Sequence, residues 1–268
     1  MIPKIIHYCW FGNNPMPADQ VKYIEEWKRL MPDYEFKCWD ENAININDHP
    51  FAKEAYEAGK LAFVADYTRV WALYHEGGIY MDTDVKVNQN FDKFLSYSMF
   101  TSYEYHPKYE HLKIIHSMID DEGKRKPDVP KDQKVPGCGL LSALVASEPN
   151  TNFMKDLLDL YDNMSYSESR KKNYTIPTTL ALIAERYGLV YKNEFQVLKD
   201  NIAIFPASVF ANYQNERKDS VAVHKCAGSW GKGNGFFSNL KIVLYKNRIC
   251  RNIYMSIRNV FEEYPLHY

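Results

Sequence analysis

The chain has 268 residues, of which 46% are hydrophobic and 25% charged, and its formal net charge is −1. This composition is that of an ordinary globular protein that can bury a sizeable core. The near-neutral charge argues against a nucleic-acid binder, because such proteins carry a basic excess. The five cysteines include no C-x-x-C pair, and no signal peptide precedes the first strand-like run, so we expect reduced thiols and a cytoplasmic location.

The first 40 residues predict a strand, a helix and a second strand. Residues 5–10 are a mostly apolar run that ends in a Gly-Asn-Asn-Pro turn, which is typical of a buried strand. Residues 17–31 carry apolar side chains at helical spacing, and residues 34–39 follow a Pro-Asp stop as the second strand. This order favours a parallel sheet with crossover helices.

A second helix is predicted over residues 60–75, and Gly77 and Gly78 end it. Residues 79–81 then form a strand that leads directly into Asp82-Thr83-Asp84. Ligands of open α/β sheets gather beyond the carboxyl ends of strands. Residues 104–136 are polar and predict a mobile loop or an insertion, after which further elements are expected at 138–145, 150–163, after 177, 202–205 and 221–224.

Asp82 and Asp84 are candidate metal ligands. Two carboxylates two residues apart at a strand end can turn towards one divalent cation where the chain bends. Hard oxygen ligands suit Mn²⁺ or Mg²⁺. A pair of turn aspartates that cap backbone amides is the plainer alternative, and the local pattern leaves both open.

Asp66 and Arg69 lie on one face of the preceding helix because their spacing is i, i+3. An exposed pair of this kind would contribute at most about 1 kcal/mol to stability. The surrounding residues 61–71 are largely apolar, so we expect these charges to be partly buried and to need a partner, such as a phosphate or a ribose.

His224 follows a predicted strand and precedes a loop with glycines at positions 228, 231, 233 and 235. A purely structural histidine is the alternative here. Two carboxylates and one imidazole that leave positions open for a diphosphate would make a chemically sensible metal site. The glycines would let the loop move or bring its backbone close to a ligand.

Four segments, taken in order, resemble the family-32 glycosyltransferases. That family includes bacterial capsular-polysaccharide and O-antigen sugar transferases and yeast initiating mannosyltransferases, with distant similarity to the clostridial glucosylating toxins. The resemblance implies a GT-A type α/β fold, which is a Rossmann-like mixed sheet flanked by helices. It also implies a nucleotide-sugar donor, Mn²⁺ or Mg²⁺, and retention of anomeric configuration. The segments are residues 2–12, Asp66 with Arg69, residues 77–84, and His224 with Ser229 and Trp230.

The same resemblance implies roles for single residues. Asp84 would bind the metal directly, Asp82 would contact the ribose and reach the metal through water, and His224 would approach the metal or the diphosphate from the far side. Asp82, Asp84 and Arg69 form the expected catalytic set. The other expected donor-binding residues are Trp10 on the base, Asp66 on the sugar hydroxyls, Tyr80 in the same pocket, and Ser229 and Trp230 over the β-phosphate.

Two segments depart from the family pattern. Residues 135–139 lack an asparagine that some relatives place near the donor sugar, and residues 175–179 match a Gly-Pro segment only loosely. We expect a UDP-linked hexose or N-acetylhexosamine as sugar donor, with GDP-mannose as the alternative. The expected acceptor is a glycan, lipid-linked in a capsule, O-antigen or exopolysaccharide repeat unit. A metal-dependent phosphohydrolase and an inert carbohydrate-binding protein are the rival interpretations.

Residues 238–268 are expected to form a C-terminal helical extension to a GT-A domain of residues 1–237. Between 238 and 260 the chain has five basic residues and no acidic one, among many apolar residues. Such a helix can lie on an anionic membrane surface or pack on its own domain, and both alternatives stay open. No apolar run approaches the roughly 20 residues that cross a bilayer. Any membrane contact is therefore expected to be peripheral, at the inner face of the plasma membrane.

Overall fold

The structure is a computed structural model that describes residues 1–105, 109–172 and 174–226. Its strands are β1 Ile5–Cys9, β2 Glu35–Trp39, β3 Gly78–Met81, β4 Val85–Val87, β5 Met99–Tyr105, β6 Cys138–Leu140, β7 Leu144–Ser147, β8 Gln196–Leu198, β9 Ile202–Phe205, β10 Phe210–Asn212 and β11 Ala222–His224. Its helices are α1 Ala18–Leu30, α2 Pro50–Glu57, α3 Leu61–His75, α4 Tyr109–Met118, α5 Asn152–Asp162, α6 Tyr166–Lys171 and α7 Ile176–Ala184.

A mixed sheet runs through the centre of the described chain, in the order β2-β1-β3-β7-β5-β9-β8, with β6 alongside β5. β1 is parallel to both β2 and β3, as the strand–helix–strand order predicted, whereas β7 runs antiparallel to β3 and β5. This is the mixed sheet flanked by helices that was expected for a GT-A type fold, and the predicted α/β class is confirmed.

Apolar clusters cover both faces of this sheet. Alternate residues of a strand point to opposite faces, and β3 contributes Tyr80 to one cluster and Ile79 and Met81 to the other. The first cluster contains residues of α2, α3, α5 and α7, and the second contains residues of α1, including the fully buried Trp27. The candidate site residues Asp82 and Asp84 directly follow β3, so they lie at the carboxyl end of an interior strand of a sheet that is packed on both sides.

Glycine fixes the junction between α3 and β3. Gly77 and Gly78 have φ values of +67° and +102°, which residues with a Cβ rarely adopt. A Cβ on Gly78 would also lie 2.6 Å from the carbonyl oxygen of Ile5. The double-glycine stop predicted from the sequence thus lets β3 approach β1 closely enough to pair with it.

The polar segment 104–136 is more regular than predicted. It contains the helix α4, and Ile119 forms an isolated β-bridge with Arg125. The predicted C-terminal helix at 238–268 and the domain boundary at 237 lie outside the described residues. In the part of the chain that the structure covers, no helix combines the length and the apolar character needed to cross a membrane.

Candidate active site

The Asp82–Asp84 turn connects two different sheets. β3 belongs to the large sheet, whereas β4, which begins at Val85, belongs to a small sheet of order β10-β11-β4. The amide of Val85 donates to the carbonyl of Asp82 at 3.0 Å, which closes the turn. Between the two aspartates, the buried Thr83 hydroxyl donates to Oε1 of Gln20 on α1 at 3.0 Å. The turn is therefore fixed by its own backbone and by α1.

The small sheet brings His224 to this turn. β11 is antiparallel to β4, and its register places His224 opposite Val85, directly after Asp84. The amide of the next residue, Lys225, donates to the carbonyl oxygen of Asp84 at 3.1 Å. Two segments far apart in the chain are thereby held side by side by backbone hydrogen bonds.

Asp82, Asp84 and His224 form a group in which one ligand atom of each lies within 4.8 Å of the others. Nε2 of His224 is 3.2 Å from Oδ1 of Asp84 and 3.8 Å from Oδ2 of Asp82. The Asp84 side chain is only 9% exposed, compared with 22% for Asp82. The predicted ligand set is thus assembled at one point, with Asp84 as its most buried member.

The second oxygen of Asp82 faces Arg69 and Tyr80. The Tyr80 hydroxyl donates to Oδ1 of Asp82 at 2.9 Å, and Nη2 of Arg69 lies 3.4 Å from the same oxygen. Nη2 is also 2.9 Å from Oδ1 of Asp66, and Nη1 donates to the carbonyl of Ser142 at 2.7 Å. One buried guanidinium therefore holds two carboxylates and a backbone carbonyl, so these buried charges have partners within the protein. The phosphate or ribose expected as a further partner stays a prediction.

Residues 17–101 match the family model described as "Glycosyltransferase sugar-binding region containing DXD motif". The matched segment includes Asp66, Arg69, Tyr80, Asp82 and Asp84. This part of the chain is similar to the DXD-containing sugar-binding region of glycosyltransferases. The predicted resemblance is confirmed.

Several curated proteins resemble the same part of the chain. Inositol phosphoceramide mannosyltransferase 3 of Schizosaccharomyces pombe is 35% identical over 100 residues, which are 36% of this chain and 28% of that protein. The uncharacterized glycosyltransferase L373 of Acanthamoeba polyphaga mimivirus is 33% identical over 111 residues, which are 39% of this chain and 44% of that protein. The chain thus spans less than half the length of these two relatives. A solved structure titled PaToxG Glycosyltransferase is 15% identical, with a TM-score of 0.48 over 69% of this chain and 70% of that chain.

Burial shapes the electrostatics of the candidate site. It raises the pKa of Asp66 to about 6, and the neighbouring Arg69 offsets only part of that effect. Burial alone would lower the pKa of His224, but Cys226 and Asp84, which contact its ring, hold it well above the usual value. A cation that takes the Nε2 lone pair would displace a proton from this histidine, so metal binding should release protons.

Of the remaining predicted site residues, Trp10, Ser229 and Trp230, the structure describes Trp10. Trp10 follows β1, is partly exposed, and donates its indole N–H to the carbonyl of Asn14 at 2.8 Å. The residue before it, Cys9, interacts with Tyr80, so the Trp10 turn begins at the same end of the sheet as the aspartates. Ser229 and Trp230 lie outside the described residues.

Some residues of the site were not predicted. Tyr161 on α5 is buried beside Asp66 and Arg69, and nothing in its local sequence indicates this. Ser142 contributes a backbone carbonyl, which no side-chain pattern can reveal. Cys226 contacts His224, and its position two residues further along the chain was a signal that could have found it.

Proposed function

We propose that this protein is a metal-dependent glycosyltransferase, which moves a sugar from a nucleoside diphosphate to a glycan acceptor. The observation that carries the proposal is the convergence of Asp82, Asp84 and His224 at the end of β3, at the edge of a DXD-containing sugar-binding region. A carbohydrate-binding protein without catalysis is the alternative, and turnover of a sugar donor distinguishes the two.

The donor set fits one divalent cation. Neighbouring ligands of an ion bound at about 2.1 Å lie about 3.0 Å apart in octahedral geometry, close to the 3.2 Å between His224 and Asp84. The charges also fit, because three carboxylates, those of Asp66, Asp82 and Asp84, lie around the single guanidinium of Arg69 and the His224 ring. Oxygen ligands with one imidazole suit Mn²⁺ well and also accept Mg²⁺.

When bound, the cation would stabilise the negative charge that develops on the leaving diphosphate. Asp84, His224 and Oδ2 of Asp82 would hold the cation. Arg69 keeps the carboxylates of Asp66 and Asp82 in place, which leaves Asp66 able to accept hydrogen bonds from hydroxyl groups of the donor sugar. The direct catalytic role that the sequence predicted for Arg69 stays a prediction. Retention of configuration is proposed from the resemblance alone, and no residue is assigned as a covalent nucleophile.

The sugar donor has two candidates. A UDP-linked hexose or N-acetylhexosamine was expected from the sequence. A mannosyl donor, GDP-mannose, is favoured by the names of relatives, which include inositol phosphoceramide mannosyltransferases 1, 2 and 3 of Schizosaccharomyces pombe. The names of these relatives also refer to a ceramide, which is a lipid, and this supports the proposal of a lipid-linked acceptor. A peripheral membrane contact through residues 238–268 would suit such an acceptor.

Binding of nucleoside diphosphates tests the proposal. Thermal unfolding should be followed with UDP and with GDP, each with and without Mn²⁺. A ligand at 100 times its Kd stabilises the folded state by about 2.7 kcal/mol, so the correct nucleotide should raise Tm only when the metal is present. Turnover of UDP-glucose, UDP-galactose, their N-acetyl forms and GDP-mannose then identifies the sugar. Hydrolysis of simple phosphate esters without any nucleotide preference would favour a phosphohydrolase instead.

A further inference from the structure

Cys226 and Asp84 contact different nitrogens of the same histidine ring. Sγ of Cys226 is 3.4 Å from Nδ1 of His224, whereas Nε2 is 3.2 Å from Oδ1 of Asp84. We infer that Cys226 is a positioning residue, which holds the His224 ring so that Nε2 faces the carboxylates. The inference rests on the metal site proposed above, and it adds a residue that lies outside the family-matched segment.

The direction of the hydrogen bonds follows from imidazole chemistry. A cation is bound by the lone pair of Nε2, so the ring proton must then be on Nδ1. Nδ1–H donates to Sγ of Cys226, which is a weak acceptor, and the thiol proton is left for the carbonyl oxygen of His224 at 3.9 Å. A single thiol thereby fixes both the tautomer and the rotation of the ring.

The backbone around Cys226 is arranged to make this contact. Its φ is +51°, in the left-handed region that few residues other than glycine, asparagine and aspartate adopt, and this turn brings Sγ back to a residue two positions earlier. Lys225, between them, donates its backbone N–H to the carbonyl oxygen of Asp84 at 3.1 Å and its ammonium group to Oε1 of Glu216 at 3.0 Å. An unfavourable conformation of this kind persists only where surrounding contacts maintain it.

Removal of the thiol should weaken metal binding without abolishing it. Loss of the group that orients a metal-binding histidine costs 10- to 100-fold in affinity, and because sulfur is a weak acceptor we expect about tenfold here. Cys226→Ala and Cys226→Gly should both show this loss, since glycine tolerates the left-handed backbone but also lacks the thiol. Cys226→Ser should retain most of the affinity, because its hydroxyl can accept from Nδ1–H.

The measurement is a Mn²⁺ titration of the full-length chain, followed by the electron paramagnetic resonance signal of free Mn²⁺. Asp84→Asn serves as the variant that removes a ligand, and Cys38→Ala removes an exposed thiol on β2 as the matched control. We expect wild type, Cys38→Ala and Cys226→Ser to bind alike, Cys226→Ala and Cys226→Gly to bind about tenfold more weakly, and Asp84→Asn to bind least. Wild-type affinity in both Cys226→Ala and Cys226→Gly would overturn the inference.

A second readout does not need the metal. In the wild-type protein without metal, nuclear magnetic resonance should show a protected Nδ1–H proton of His224, and this resonance should be lost in Cys226→Ala and kept in Cys226→Ser. An unchanged resonance in Cys226→Ala would contradict the role of Cys226. Failure of the wild type to bind Mn²⁺ would instead refute the proposed metal site, and the resonance would then decide the role of Cys226 alone.

Discussion

Two arginine–carboxylate pairs in this protein are almost equally buried but differ in their surroundings. The side chains of Arg69 and Asp66 are 7% and 17% exposed, and those of Arg125 and Glu185 are 8% and 18% exposed. Arg125 binds Glu185 through two parallel hydrogen bonds of 2.6 and 2.7 Å, and Tyr191 donates to the same carboxylate. One positive charge there meets one negative charge.

Arg69, in contrast, is shared between Asp66 and Asp82, and the other oxygen of Asp82, Oδ2, lies 3.8 Å from Nε2 of His224. The carboxylates beside β3 therefore share an arginine and a histidine, whereas Glu185 is paired with Arg125 alone among the cations that the structure describes near it. A buried ion pair alone does not mark a functional site. Two carboxylates that meet an imidazole at one point are a better indication, because the three groups together can bind a cation.

The largest expected effect is on the Arg125–Glu185 pair. Arg125→Met should lower the free energy of unfolding by about 3–5 kcal/mol, because it leaves the Glu185 carboxylate without its cation in a buried position. Urea unfolding measures this loss. The neighbouring Arg186, whose side chain is 67% exposed and pairs with Asp156 at 3.3 Å, provides the matched control. Arg186→Met should change stability by less than about 1 kcal/mol.

Mn²⁺ affinity completes this comparison. Folded Arg125→Met should bind Mn²⁺ as the wild type does, because its pair makes no contact with the ligand group. If the substitution removed metal binding while the protein remained folded, the two regions would not be independent.

The next largest effect is on catalysis. Asp84→Asn should lower metal-dependent turnover of the sugar donor by about 10²- to 10³-fold, the loss expected when one preorganised electrostatic element is removed. Release of the nucleoside diphosphate in the presence of Mn²⁺ measures it. Asp159→Asn, at an exposed aspartate that pairs with Lys155, is the control and should be fully active. Full activity in Asp84→Asn would refute the proposed function.

Much of the structure up to and including the aspartates after β3 could be predicted from local sequence. The bounds of β1, α1, β2 and α3 agree with the predicted segments to within about two residues, because periodic apolar residues and Pro or Gly stops define them. The aspartates come directly after a strand, as expected. Two partners of Arg69, Asp82 and the Ser142 carbonyl, were not predicted, since they come from elsewhere in the chain and no helical pattern reveals them.

Non-local pairing accounts for most of what was missed. His224 reaches Asp84 only through the register of β11 on β4, which the sequence does not state. The helices α2, α4 and α6 are short, and their polar residues obscured the apolar period. For α6 a readable signal was present, because Ser165 and Glu168 form a capping box at its start.

Conservative substitution of each arginine sharpens the comparison. Arg69→Lys keeps the charge, but one ammonium group cannot hold Asp66, Asp82 and the Ser142 carbonyl in their present geometry, so donor turnover should fall about 30- to 100-fold. Arg125→Lys should leave turnover unchanged and lower stability by about 1–2 kcal/mol, because it loses the bidentate geometry. Steady-state kinetics and urea unfolding on both variants measure the two effects. Equal loss of turnover in both would show that Arg69 acts only through general stability.

The smallest effect concerns Asp66, whose pKa in the folded protein is raised by burial from the ordinary 3.8 to about 6. Between these two pH values the folded state binds more protons than the unfolded state, so this group makes stability fall as pH rises from about 4 to 6. Asp66→Asn removes that dependence. The free energy of unfolding of Asp66→Asn minus that of wild type should therefore be about 1–2 kcal/mol larger at pH 7 than at pH 4. This value is smaller than the full pKa shift implies, because the Asp66 side chain keeps some solvent contact. Urea unfolding at both pH values measures the difference, and a difference independent of pH would mean that Arg69 fully offsets the burial of Asp66.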